Sequence, residues 1–229
     1  SEELLVSAFA QILDQNLEDY KIELLNADGT SFYPFIYLFN STDKEKTLPI
    51  PLSILTDDDR FTASKNTEYS FINIKNDLAK AEKLYEDIYA ATETTRIKNI
   101  KAAIKSVPDK IKLNTATKTF EFAIVLANTT NLKKQIEENL LWKYIAQSKA
   151  TVKKHAKIKA HLDSFPGDPI AASELKQLRI LIWKALPKKA EFAQDFSVYL
   201  LENLAEAKNN FIIPDYIKKG IAHLINYKV

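Results

Sequence analysis

The chain has 229 residues with a formal net charge of +2, 46% hydrophobic and 27% charged residues, three glycines and no cysteine. That length can bury a sizeable core, and the absence of cysteine excludes a disulfide framework, a thiol nucleophile and a cysteine–zinc cluster. Gly29, Gly167 and Gly220 stand too far apart to build a phosphate-cradling or dinucleotide-binding loop.

Residues 2–19 carry Leu5, Ala8, Phe9, Ile12, Leu13 and Leu17 at three- and four-residue spacing, which predicts an amphipathic helix. Tyr20, Ile22 and Leu24 then alternate with polar neighbours, and Asp28-Gly29 supplies a turn. With the aromatic run Phe32 to Phe39 following, the pattern predicts a β-hairpin whose second strand lies at an edge, because Pro34 cannot donate to a ladder. Leu48 to Leu52 must be extended around Pro49 and Pro51, and Tyr69–Lys75 reads as a third short strand.

From Asn76 onward the period is helical. Asp77 caps a long helix with an interruption near Thr92–Thr95 and an end at Pro108. Residues 114–127 have strand-like alternation between helices and are assigned as helix. Residues 131–162 form one helix or two. Asp168-Pro169, Pro187 and Pro214-Asp215 each open a further helix. The expectation is a predominantly helical α+β protein, with an N-terminal helix and small antiparallel sheet over 1–75 and a multi-helix bundle over 76–229, separate or continuous.

Charge is distributed unevenly. Residues 1–60 hold 12 acidic and 4 basic groups, whereas residues 101–160 hold 4 acidic and 13 basic ones. On a continuous helix, Lys143, Lys149, Lys153, Lys154 and Lys157 share an arc of about 140° opposite an apolar back. Such a ridge suits sequence-independent, salt-sensitive contact with phosphates. Lys159 projects from the apolar side of that wheel.

Other constellations carry less chemistry. His155 and His161 fall on different helical faces, and His223 sits among apolar residues. Asp57-Asp58-Asp59 is the densest carboxylate cluster, but neighbouring side chains diverge, so the triplet reads as a helix cap or solvated loop. The aromatic run offers Tyr33, Phe35, Tyr37 and Phe39 as partner contacts. With no cofactor or metal set apparent, the leading expectation is a non-enzymatic interaction or assembly protein. Its partner would be another protein or a second copy. The alternative is a nucleic-acid-binding protein that uses the lysine ridge. The opening Ser1-Glu2-Glu3-Leu4-Leu5 is unlike a secretory leader, and no apolar run approaches a membrane span, so a cytoplasmic location is expected.

Overall fold

The computed structural model describes residues 2–27, 32–43, 45–46 and 48–227. The expected predominantly helical α+β class holds, with one sheet of two strands among the described residues. β1 (Leu52–Asp57) and β2 (Ile111–Ala116) run parallel, with Leu52 opposite Ile111 and Asp57 opposite Ala116. This corrects the antiparallel expectation. The partners are far apart in sequence and joined through helices, the crossover that parallel strands require.

Among the described residues, α1 (Glu2–Ile12) and α2 (Tyr33–Phe39) precede β1. The crossover contains α3 (Phe71–Asn76), α4 (Leu78–Ala90) and α5 (Thr95–Ile104). After β2 come α6 (Phe120–Ala127), α7 (Lys133–Glu138), α8 (Leu140–Gln147), α9 (Val152–Ser164) and α10 (Ala172–Ala185). The chain then runs through α11 (Lys189–Glu202), α12 (Leu204–Asn210) and α13 (Asp215–Ile225). No described helix is long and apolar enough to cross a membrane.

Several local expectations need correction. The aromatic run is the helix α2, not an edge strand. Pro34 lies in its first turn, where a missing amide costs no intrahelical bond, and Ile36 faces inward while Tyr37 and Leu38 face outward. Tyr20–Leu24 forms no strand, and the Asp28-Gly29 turn lies outside the described residues. Tyr69–Lys75 folds as the end of a 3-10 turn and most of α3. Asp77 does cap α4, accepting the Lys80 amide at 3.3 Å. Within 114–127, the segment finishes β2 and then enters α6, where the Thr119 hydroxyl accepts the Phe122 amide at 3.2 Å. Asp168 does not cap α10; its Oδ1 accepts the Lys133 amide at 3.1 Å.

Both faces of the sheet are covered, as parallel strands demand. Ile54 and Ile111 pack with Ile36, Ile97, Ile100 and Ile104, drawn from α2 and α5. The opposite face lies against α13, at Gly220. A Cβ there would meet Leu55 Cδ2 at 2.5 Å and Ser53 Oγ at 2.9 Å, so the glycine sets how closely α13 approaches. Gly220→Ala is expected to cost about 1–3 kcal/mol through overpacking. Its urea midpoint should fall with the slope unchanged. The larger core joins α1 to the later helices, with the Phe9 ring 6.1 Å from Phe120 and 5.5 Å from Phe211.

Candidate active site

The carboxylate triplet occupies the carboxyl end of β1 and the loop that follows, the end at which open parallel sheets bind ligands. It is neither a cap nor a solvated loop, which corrects the sequence reading. Asp58 is 1% exposed. Its Oδ1 accepts from the Thr94 amide at 3.0 Å and the Thr94 hydroxyl at 2.6 Å, and its Oδ2 meets Arg60 Nε at 2.5 Å. Burial pushes this carboxyl up, but those bonds outweigh it and hold it below the usual range.

Asp59 turns the other way. It pairs with Lys65 and with Lys118, whose side chain is 1% exposed. Lys118 Nζ also donates to the Phe61 carbonyl at 3.2 Å. Burial raises Asp59, and the two ammonium groups more than reverse that shift. Asp59 and Phe61 both have left-handed backbone, at φ 53° and 58°. For a phenylalanine that conformation is strained, and Lys118 ties the strained loop down. Beside it, Lys184 Nζ donates to the Ser64 carbonyl at 2.8 Å and lies 4.1 Å from the Trp183 ring centroid. Burial and the nearby Lys118 charge push this amine down to about 8.

Asp57 differs from both neighbours. Its side chain points to the α13 side of the sheet, where Lys189 Nζ lies 3.5 Å from Oδ2 and also pairs with Glu2. Burial dominates and pushes the carboxyl up to about 7; Lys189 opposes the shift, while the charges of Glu2 and Glu121 reinforce it. Burial and the same three carboxylates also keep the Tyr216 hydroxyl protonated well beyond its usual range. Glu121 is buried, and its Oε1 has no hydrogen-bond partner. Arg96 steadies the strand end, donating to Thr56 Oγ1 at 3.1 Å and to the Asp57 carbonyl.

Glu2, Asp57 and Glu121 therefore form one field of excess negative charge, with Lys189 as its cation. Among the described residues no three carboxylate or imidazole side chains stand close enough together to hold an ion. Two carboxylates, Glu2 and Asp57, do approach one point at Lys189 Nζ, a set that suits a divalent cation only when phosphate and water complete its shell. The groups are hard oxygens, one buried oxygen is unpartnered, and the Asp57 proton is held first by burial and then by repulsion from Glu2 and Glu121, which a cation would relieve.

The five ridge lysines do not share one face, because the helix on which they were projected is broken. Residues 148–151 separate α8 from α9, and the Thr151 hydroxyl donates to the Ile145 carbonyl at 2.8 Å. Lys143 stays on α8 and pairs with Glu206. Lys149 lies in the break, and Lys153, Lys154 and Lys157 lie on α9. Lys154 folds back to donate to the Ala185 carbonyl at 3.0 Å, with Nζ 5.8 Å from the Phe71 ring centroid. Lys149, Lys153 and Lys157 remain exposed.

The four aromatics of α2 are likewise divided. Tyr33 and Tyr37 approach to 6.1 Å between ring centroids, Phe35 lines the groove beside β1, and Phe39 packs on the smaller core. Glu2, Lys118, Glu121 and Lys189 escaped sequence reading because they come from distant elements. The usable signal was an alternating apolar stretch, Leu52 to Thr56, ending in three carboxylates.

Residues 1–59 match the family described as Overcoming lysogenization defect protein-like, TOPRIM domain. This finding overturns the expected non-enzymatic assembly role. It favours the nucleic-acid alternative. The matched stretch contains both Glu2-Glu3 and Asp57-Asp58-Asp59, the two acidic segments that Lys189 joins in space. Comparison with curated proteins and with solved structures returns no match.

Proposed function

We propose that this chain carries the phosphoryl-transfer centre of a nucleic-acid-processing enzyme of the cation-dependent nuclease or primase type. The observation that carries the reading is Asp57. It stands at the carboxyl end of a parallel strand, is raised to about 7 by burial with Glu2 and Glu121 behind it, and lies within the TOPRIM-like segment.

Glu2 and Asp57, which both contact Lys189, would hold a divalent cation whose other ligands come from substrate phosphate and water. The cation would supply charge neutralisation for the phosphate and a bound water of lowered pKa. Asp58 and Asp59, engaged by Thr94, Arg60, Lys65 and Lys118, keep the loop in place. Lys189 is about half exposed at 51% and competes with a cation for its two carboxylates. Released from them, its ammonium can pair with a phosphate oxygen. Lys149, Lys153 and Lys157 supply sequence-independent contacts to the nucleic-acid backbone.

The test is cleavage of labelled duplex and single-stranded DNA and RNA with Mg²⁺ or Mn²⁺, compared with excess chelator. Cleavage that requires the cation and is lost in Glu2→Gln supports the proposal. Failure both to cleave these substrates and to synthesise primers from nucleoside triphosphates on single-stranded DNA, in either metal, would end it. Reversing Lys149, Lys153 and Lys157 together to glutamate should weaken duplex binding. The slope of log affinity against log salt should flatten by about 2–3. An unchanged slope would remove those lysines from the interface.

A further inference from the structure

The segment from Thr94 to Lys112 holds six basic residues, Arg96, Lys98, Lys101, Lys105, Lys110 and Lys112, against one acidic residue, Asp109. The fold sorts them. Ile97, Ile100 and Ile104 are buried in the smaller core with β1 and β2, which fixes the rotation of α5. At about 100° per residue, Lys98, Lys101 and Lys105 then share an arc of about 60° on one flank of that helix. Ala103, whose carbonyl accepts from Asn40 Nδ2 at 3.2 Å, lies about 150° round from them and faces α2. α2 stands on the β1 side, where Phe35 lines a groove bordered by residues 52–59 and by no residue of β2. The three lysines therefore face outward on the β2 side.

β2 has β1 as its strand neighbour among the described residues, and its outer edge carries no ladder. The Leu52 amide donates to the Lys110 carbonyl at 2.9 Å and the Asp58 amide to the Ala116 carbonyl at 2.7 Å, so even-numbered groups of β2 face β1. The amides of Leu113 and Thr115 then point out of the open edge, toward the lysine flank. Lys98 and Lys105 are exposed and have no side-chain partner among the described residues, while Lys101 is 55% exposed and pairs with Glu93. Lysines along an open edge oppose pairing with another strand. Ammonium groups beside unpaired amides suit phosphate oxygens, which accept from both. Lys98 to Lys105 covers about 10 Å of helix, or about three nucleotide steps of a duplex strand.

The flank also starts beside the candidate site. α5 follows Thr94, which bonds Asp58, and Arg96 in its first turn donates to Thr56 and to the Asp57 carbonyl. We propose that the Lys98, Lys101 and Lys105 flank of α5 and the open edge of β2 together form a track for the phosphate backbone of a nucleic acid, leading away from Asp57. The choice of nucleic acid as partner rests on the reading of the Asp57 region given above, to which the track adds a path for the substrate. It is separate from Lys149, Lys153 and Lys157, which lie in and after the break between α8 and α9.

Labelled duplex and single-stranded DNA are titrated with the full chain in excess chelator, so that binding is read without cleavage. Lys98→Gln/Lys105→Gln is expected to weaken binding at least about fivefold and to flatten the slope of log affinity against log salt by about 2. An equal charge change on α4, Lys80→Gln/Lys83→Gln, should stay within about twofold of the wild type. Bound duplex should slow amide exchange at Leu113 and Thr115 at least about threefold and leave Lys112, whose amide faces β1, unchanged. An unchanged slope, an equal loss in the α4 variant, or no added protection at the edge would overturn the proposal. So would a wild type that binds neither DNA, or poly-glutamate that competes as strongly as duplex of equal charge. Cleavage that fails while these binding results hold counts against the chemistry at Asp57 and not against the track.

Discussion

Asp57→Asn is expected to make the folded protein more stable while abolishing cation-dependent cleavage. In the wild type this carboxyl is raised from 3.8 to about 7, first by burial and then by Glu2 and Glu121, against the opposing effect of Lys189. Between those two values the unfolded chain has released a proton that the folded protein retains. Stability therefore falls as pH rises from about 4 to 7 and is level above that. The asparagine removes the titration and keeps the shape. The full shift would correspond to at most about 4 kcal/mol above pH 7. Because Lys189 also loses a partner, a net gain of about 2 kcal/mol is expected, or about 4–8 °C in melting temperature. The gain should vanish near pH 4. Thermal melts of both forms from pH 4 to 8 check it, and a difference independent of pH would rule out the charge explanation. Such a gain alongside lost activity is the trade expected where an active site stores unfavourable charge.

Asp59→Asn, two residues on, is expected to do the opposite. It leaves the Lys118 ammonium, 1% exposed, with the Phe61 carbonyl as its remaining acceptor at 3.2 Å. Removing one partner of a buried ion pair leaves an uncompensated charge, and a loss of about 3 kcal/mol is expected at pH 7. Asparagine tolerates the left-handed backbone of this position, so the loss reports charge and not strain. The sign with pH also differs. Asp59 is held below its usual range, so its contribution is present above the ordinary carboxylate pKa and disappears as pH falls through the lowered value. The double variant Asp59→Asn/Lys118→Met should recover at least half of the loss, because both buried charges are then gone. Equilibrium urea unfolding at pH 7 separates the outcomes. Equal stability of Asp57→Asn and Asp59→Asn would mean that the environments of the triplet do not differ as described.

The contrast between Asp57 and Asp59 also shows what could be read from the chain. The triplet is conspicuous as residues, and neighbouring side chains along a strand diverge. Divergence argues against one shared ligand, yet it sends each carboxyl to a different partner set: Lys189 and Glu2, Thr94 and Arg60, Lys65 and Lys118. None of those partners except Arg60 and Lys65 is near in sequence. The lysine ridge failed for a related reason. A helical wheel assumes an unbroken helix, and the break at residues 148–151 divides the five lysines between α8, the connection and α9.

The sequence by itself determined the helical majority, the Asp77 cap, the break before Thr95 and the entry to α13 at Pro214-Asp215. Each depends on periodicity or on a side chain acting within a few residues of itself, and such forces are local. Tertiary structure alone decided that α2 is a helix, that Leu52–Asp57 pairs in parallel with Ile111–Ala116, and that Glu2, Asp57 and Glu121 share one field. Strand pairing and charge burial depend on which distant surfaces exclude water together, and no spacing along the chain encodes that distance.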